Sequence, residues 1–140
     1  MKRLIVLFFS LGILQSCSKD GNESDITNAS IEGKWTLEKT SFSSDGGKTF
    51  VDELATNTAG CDKNYIEFAS KGVFYRVFYG DKCILDKTTG TWEKYLDNVL
   101  VMKTGGSINE VDIISLTNTT LKINDPDFGI IIVVKTFKRI

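Results

Sequence analysis

The chain has no histidine among its 140 residues, one proline and three cysteines. Each scarcity excludes something. Without histidine, the commonest general base and the commonest metal ligand near neutral pH are missing. No Ser-His or Cys-His dyad can be assembled. No apolar run reaches the ~18 residues that a membrane-spanning helix needs. Neither Gly46-Gly47, which leads into Lys48-Thr49 but has Phe42 where the first glycine belongs, nor Gly105-Gly106 completes the Gly-x-x-x-x-Gly-Lys-Ser/Thr pattern of a phosphate-binding loop. There is no excess of positive charge, and hence no electrostatic footprint for nucleic acid.

What is present begins with Met1-Lys2-Arg3 and the apolar run Leu4 to Ile13. Ten residues are too few to cross a bilayer core of roughly 30 Å as a helix. A basic start and a short apolar core suit a secretory signal peptide. The run leads into Leu14-Gln15-Ser16-Cys17, an aliphatic residue three positions before a cysteine and a small residue next to it. This resembles the lipobox of bacterial lipoproteins. The resemblance implies cleavage after residue 16 and acylation of Cys17, which would anchor the mature chain to a membrane. Each methylene buried in the bilayer contributes about 0.8 kcal/mol. Residues 18–30, SKDGNESDITNAS, are polar and aperiodic and read as a flexible tether. The expected organisation is thus a signal peptide over 1–16, a lipidated tether over 17–30 and one folded domain over 31–140. Position 18 is not Asp, so the inner-membrane retention rule of some Gram-negative bacteria is not met. The expected location is the outer membrane, on its periplasmic face or at the cell surface.

Loss of Lys2 and Arg3 leaves 15 basic against 18 acidic side chains, a net charge of −3. With Cys17 assigned to lipid, Cys61 and Cys83 remain. In an exported protein, two leftover cysteines point to a disulfide. The segment between them reads as a hairpin turning at Ser70-Lys71-Gly72, which brings the two cysteines nearly opposite each other. Closing such a loop stabilises by ~3 kcal/mol on the chain-entropy model.

From residue 31 onward, short β-prone runs alternate with turn chemistry. Strands are expected at 34–42, 64–69, 73–79, 88–95, 98–104, 107–116, 120–124 and 129–139. Eight strands at near-regular spacing define an all-β barrel or sandwich. Pro126 lies in a turn, where it costs no ladder bond. On the first strand, Trp35, Leu37 and Lys39 are expected on one face. The long connection 43–63 contains Thr49-Phe50-Val51-Asp52, a capping-box pattern, with Phe50 and Leu54 at helical spacing. A short helix is expected there, and Phe50 and Leu54 are candidate lid residues. In the central hairpin, glycine belongs at the third loop position. That register sets Ala69 opposite Val73, Phe68 beside Phe74 and Ile66 beside Arg76. Arg76 then falls among Phe68, Phe74 and Phe78. There it would meet an anionic headgroup or a neighbouring carboxylate such as Glu110; the alternative register pairs it with Glu67 at the surface.

Gly33-x-Trp35, at the start of the first strand, resembles the lipocalin signature. The wider order of Cys61, Phe68, Gly72-x-Phe74, Cys83, Gly90-Thr91-Trp92, Ile114-Ser115-Leu116-Thr117 and Lys135-Thr136-Phe137-Lys138-Arg139 resembles the lipocalin-like lipoprotein domain of Gram-negative bacteria. The resemblance covers nearly all of residues 31–140 and implies a small eight-stranded, antiparallel, up-and-down barrel. Such a barrel either holds one small ligand or is filled by its own side chains. Candidate ligand-lining residues are Trp35, Phe68, Phe74, Arg76, Trp92 and Met102. A barrel holding a small apolar or amphipathic molecule is one expectation. A filled scaffold that docks an envelope protein, through its loops or the Tyr65, Tyr75 and Tyr79 face, is the other. Asp62, Glu67, Asp112 and Asp125 read as solvated turn or strand positions, so no catalytic residue, metal ligand or cofactor is assigned and no enzyme is expected.

Overall fold

The computed structural model describes residues 29–96, 98–125 and 130–140. The expected signal peptide, Cys17 and most of the expected tether lie outside the described residues, as does the expected turn at Pro126. Nine strands are described: β1 (Gly33–Ser43), β2 (Val51–Leu54), β3 (Tyr65–Ala69), β4 (Val73–Tyr79), β5 (Leu85–Tyr95), β6 (Val99–Thr104), β7 (Ser107–Leu116), β8 (Thr120–Asp125) and β9 (Ile132–Arg139). Every pairing is antiparallel: β3 to β9 pair in chain order, β1 pairs with both β2 and β3, and β9 returns to pair with β1. Eight strands, β1 and β3 to β9, therefore close an up-and-down barrel.

The ninth strand is a correction. Residues 51–54 form strand β2, not a helix. The capping pattern is not used. Asp52 faces β1, where its carboxylate accepts from Ser41 Oγ at 2.6 Å and Lys39 Nζ at 2.5 Å. Thr49 turns instead to Asp45. The reason lies in β1, whose far end extends beyond its pairing with β3: β3 covers Gly33 to Trp35, and Lys39 to Phe42 would be left with an open edge. β2 fills that edge, so β2 and β3 are two pieces of one broken strand. Residues 55–64 leave the sheet between them. They are tied back by Ala55 N–H to Glu38 O, by Asn64 Oδ1 accepting from Tyr79 N–H, and by Thr58 Oγ1 donating to Tyr79 O. The expected Cys61–Cys83 disulfide is formed, with Cα atoms 5.2 Å apart. It joins this excursion to the tip of the β4–β5 hairpin.

The central hairpin has the expected register. Ala69 pairs with Val73, Phe68 with Phe74 and Ile66 with Arg76. Gly72 has φ +71°, and a Cβ there would stand 2.8 Å from Trp92 O. One face of β1 departs from expectation. A bulge between Leu37 and Lys39 shifts the pairing with β9. Trp35 and Leu37 point inward, but Lys39 is turned out toward Asp52, because one extra residue inverts the alternation.

At one end the barrel is closed. Trp35 is fully buried and donates its indole N–H to Ile31 O at 2.7 Å. The Arg139 guanidinium lies over the Trp35 ring, 4.1 Å from its centroid. It donates to Ser30 O, Glu32 O and Asn118 O, tying the entering chain and the β7–β8 turn to the last strand. Gly33 has φ +127°, and a Cβ there would run into that guanidinium. Gly-x-Trp is thus a single device, in which the glycine leaves room for the cation that covers the tryptophan.

Candidate functional site

The pairing register defines the inner wall of the barrel, because directly paired residues share a face. Near the closed end the wall carries Trp35, Phe68, Phe74, Leu100, Leu121 and Phe137, all in the buried core. Each large apolar side chain taken fully from water contributes about 1.5–3 kcal/mol, so this half carries most of the stability. Phe68 meets Trp92 edge to face, with centroids 5.5 Å apart. The Trp92 indole N–H donates to Ala69 O at 3.0 Å. Gly90 faces inward opposite Phe74. A side chain there would collide with the Phe74 ring and with Lys103 O.

Of the six sequence-assigned lining residues, Trp35, Phe68, Phe74 and Met102 are buried, and Trp92 packs against them. They are brought together, and they fill the space they surround. What remains is a cavity of about 10 Å³ lined by Trp35, Ile66, Phe68, Leu100, Met102, Leu121, Ile123 and Phe137. That is the room one water takes, in a wall with no polar partner to hold it.

Toward the other end the wall changes character. Arg76, paired with Ile66 and Thr88, continues the inner face of β4 beyond Phe74, and Phe78, paired with Asp86, continues it further. Phe74 is 1% exposed and Phe78 is 52% exposed, so the barrel opens to solvent between them. Arg76 sits at that opening. The expectation that it shares a face with Phe68, Phe74 and Phe78 holds. It is not buried among them, however, because β6 pairs with β5 only from Thr91 onward and β3 ends opposite Val77, so the outer part of the β4–β5 hairpin stands beyond its neighbouring strands. No hydrogen bond or ion pair from Arg76 to Glu110, Glu67 or any other described residue is formed. Phe50 and Leu54, assigned as a lid, are exposed on the β1–β2 hairpin.

Two inner-wall groups were not legible as such in the sequence. Asp125, read as a solvated turn residue, is 5% exposed and faces inward on β8. Its carboxylate accepts from Lys135 Nζ at 2.6 Å, and Lys135 lies on the inner face of β9 opposite Ile123. The signal available was a single lysine, Lys135, directly after the apolar run Ile130 to Val134, since a strand buried on its inner face admits a cation only with a partner. The second is Asn109, opposite Met102, whose buried Oδ1 has no hydrogen-bond partner. Among the described residues, no group of three or more Asp, Glu or Cys side chains is placed to hold a metal ion.

A closed antiparallel barrel, packed at one end around Trp35 and Arg139 and open at the other, is the architecture of a lipocalin-type domain. Residues 31–123 match the family of lipocalin-like domains, and the chain belongs to that family. Among solved structures it is similar to a lipocalin-like protein from Bacteroides uniformis, with a TM-score of 0.60 at 13% identity, over 79% of this chain and 98% of that one. It is also similar to an uncharacterised protein from Bacteroides eggerthii, with a TM-score of 0.56 at 12% identity, over 79% of this chain and all of that one. No curated protein matches the chain.

Proposed function

We propose that the chain is a cell-envelope lipoprotein whose barrel takes a small apolar or amphipathic molecule in its open end. The observation that carries this reading is the division of the inner wall. The closed half is packed to a cavity of about 10 Å³. The open half exposes Phe78 and Arg76 on a surface that faces the barrel interior. An inward-facing wall with an aromatic ring, an unpaired cation and a solid apolar floor offers a small ligand burial and orientation. Acylation of Cys17 would hold the domain at the outer membrane. The described chain enters at the closed end, beside Arg139, so the mouth would face away from the anchor.

A second reading has its own support. A floor this full suits a scaffold as well as a carrier. Phe78, Ile84 and Leu85 expose 52%, 67% and 55% of their surface around the β4–β5 tip, and Ile108 exposes 63% at the β6–β7 tip. Apolar side chains gathered at one end fit a protein-interaction module on the envelope.

Native mass spectrometry of residues 18–140, exported behind a cleavable leader into an oxidising compartment, separates the two. A small molecule that leaves on denaturation supports the carrier. A bare mass, together with capture of a specific envelope protein that Phe78→Ser abolishes, supports the module. Location is tested by labelled palmitate, which should enter the wild-type chain and not Cys17→Ala. Labelling of both would remove the lipobox assignment.

A further inference from the structure

We infer that the molecule the barrel takes is a compact organic anion, with its acid group on Arg76 and an apolar part too short to reach the floor. This rests on the carrier reading above and narrows it to a chemical class.

Three observations converge. The first is the state of Arg76. Lys135, also on the inner wall, is engaged by Asp125, whereas Arg76 has no such partner. The inner-face carboxylate nearest in register, Asp86, lies one pair further along, opposite Phe78, and forms no ion pair with Arg76. The guanidinium thus stands exposed at the mouth with its donors unspent by any protein partner. Its planar fork of N–H groups matches a carboxylate in two parallel hydrogen bonds, a geometry that an ammonium cannot reproduce.

The second is what flanks it. Ile66 stands directly across β3, Thr88 directly across β5, and Phe74 and Phe78 lie two residues to either side on β4. An acid bound to Arg76 would lay its carbon skeleton against Ile66 and Phe78 and meet the Thr88 hydroxyl at its polar end. Phe78 is half exposed, so covering it removes apolar area from water.

The third is the floor. Ile66 lines the residual cavity as well as facing Arg76, so the path downward from the cation leads straight to that void. Its volume of about 10 Å³ takes one water-sized group at most. The walls below are Trp35, Phe68 and Phe137, each within the packed core. A long acyl chain would have to displace them. The wall therefore selects by length as well as by charge, admitting short-chain or single-ring carboxylates and leaving the tail of a long-chain acid in solvent.

The test is calorimetric titration of residues 18–140 with hexanoate, 1-hexanol and hexadecanoate, the last below its micelle concentration, repeated on Arg76→Gln and Arg76→Lys. Hexanoate should bind about tenfold more tightly than hexanol, the usual scale of a charge-assisted bidentate contact. Arg76→Gln should bring that ratio to about one and leave hexanol unchanged. Arg76→Lys should recover part of it. Hexadecanoate should gain less than about twofold over hexanoate, despite its ten extra carbons. Because the Arg76 side chain makes no hydrogen bond or ion pair in the barrel, its variants should melt with the wild type, and matching melts would show that loss of binding is not loss of fold. Equal affinity for hexanoate and hexanol, or a ratio that survives Arg76→Gln, overturns the anion assignment and leaves the carrier reading standing. A large gain with hexadecanoate overturns the length limit. Absence of binding by all three, with no molecule co-purifying, overturns the carrier reading and this inference with it.

Discussion

Replacing Gly33 by alanine tests the closed end of the barrel most directly. Two costs follow from the structure. At φ +127° an L-residue is strained, and such conformations cost of order 1–3 kcal/mol. The new Cβ also falls on the Arg139 guanidinium, which must then leave the Trp35 ring and its contacts to Ser30 O and Glu32 O. Hydrogen bonds from a charged donor contribute ~1.5–3 kcal/mol when well formed. These are partly exposed, so about 1 kcal/mol is a fair allowance for the displacement. The sum is about 3 kcal/mol, and for ~110 ordered residues it lowers the melting temperature by about 13 °C. The assay is urea unfolding followed by tryptophan fluorescence, on wild type, Gly33→Ala, Arg139→Ala and the double variant. In the Arg139→Ala background the clash is gone, so Gly33→Ala should cost only its strain, about 2 kcal/mol. The coupling would then be about 1 kcal/mol. Strict additivity would refute the shared device, and a cost below about 0.5 kcal/mol for Gly33→Ala alone would refute the strain as well.

Other outcomes follow from particular contacts. The Cys61–Cys83 bridge closes a loop of sequence separation 22, so Cys61→Ala/Cys83→Ala should lose about 3.4 kcal/mol on the chain-entropy model, read as a fall in the urea midpoint. Gly90→Ala drives a Cβ into Lys103 O, the Phe74 ring and Thr104 Oγ1. Overpacking of this kind costs about 1–3 kcal/mol, and Phe74→Leu in the same chain should recover part of it in thermal melts. Hydrogen bonds from Thr49, first its hydroxyl and then its backbone N–H, and then from Ser43, hold the Asp45 carboxyl well below the usual carboxylate range. A depressed folded-state value means that this contribution is complete above the ordinary pKa of about 4 and is lost as pH falls below it. The stability difference between wild type and Asp45→Asn should therefore be constant between about pH 5 and 8 and shrink in more acid solution. A difference that grows below about pH 4 would reverse the sign of that reasoning.

The eight barrel strands, their order and the barrel class were legible in the sequence because they rest on local signals. Alternation set the faces, turn residues set the breaks, and Gly72 alone fixed the register of the central hairpin. The disulfide followed from a cysteine count and that register. The signals that misled were equally local. Thr49-Phe50-Val51-Asp52 has the pattern of a helix start, yet the chain there is a strand, because an unpaired edge of β1 and the partners Lys39 and Ser41 exist only once the sheet has closed. Lys39 changed faces for a similar reason. A bulge is an adjustment between two strands, and β1 alone carries no mark of it. Asp125 read as surface because nothing local showed that Lys135 would lie across from it on the inner wall.

The candidate site divides in the same way. Composition and pattern determined that aromatic side chains would line a barrel and that Arg76 would share their face. Only the tertiary structure decided that the aromatics fill that barrel to its floor while Arg76 is left at its mouth. Filling depends on how far apart the walls stand and where β2 parts from β3, which are properties of the closed sheet and belong to no single strand.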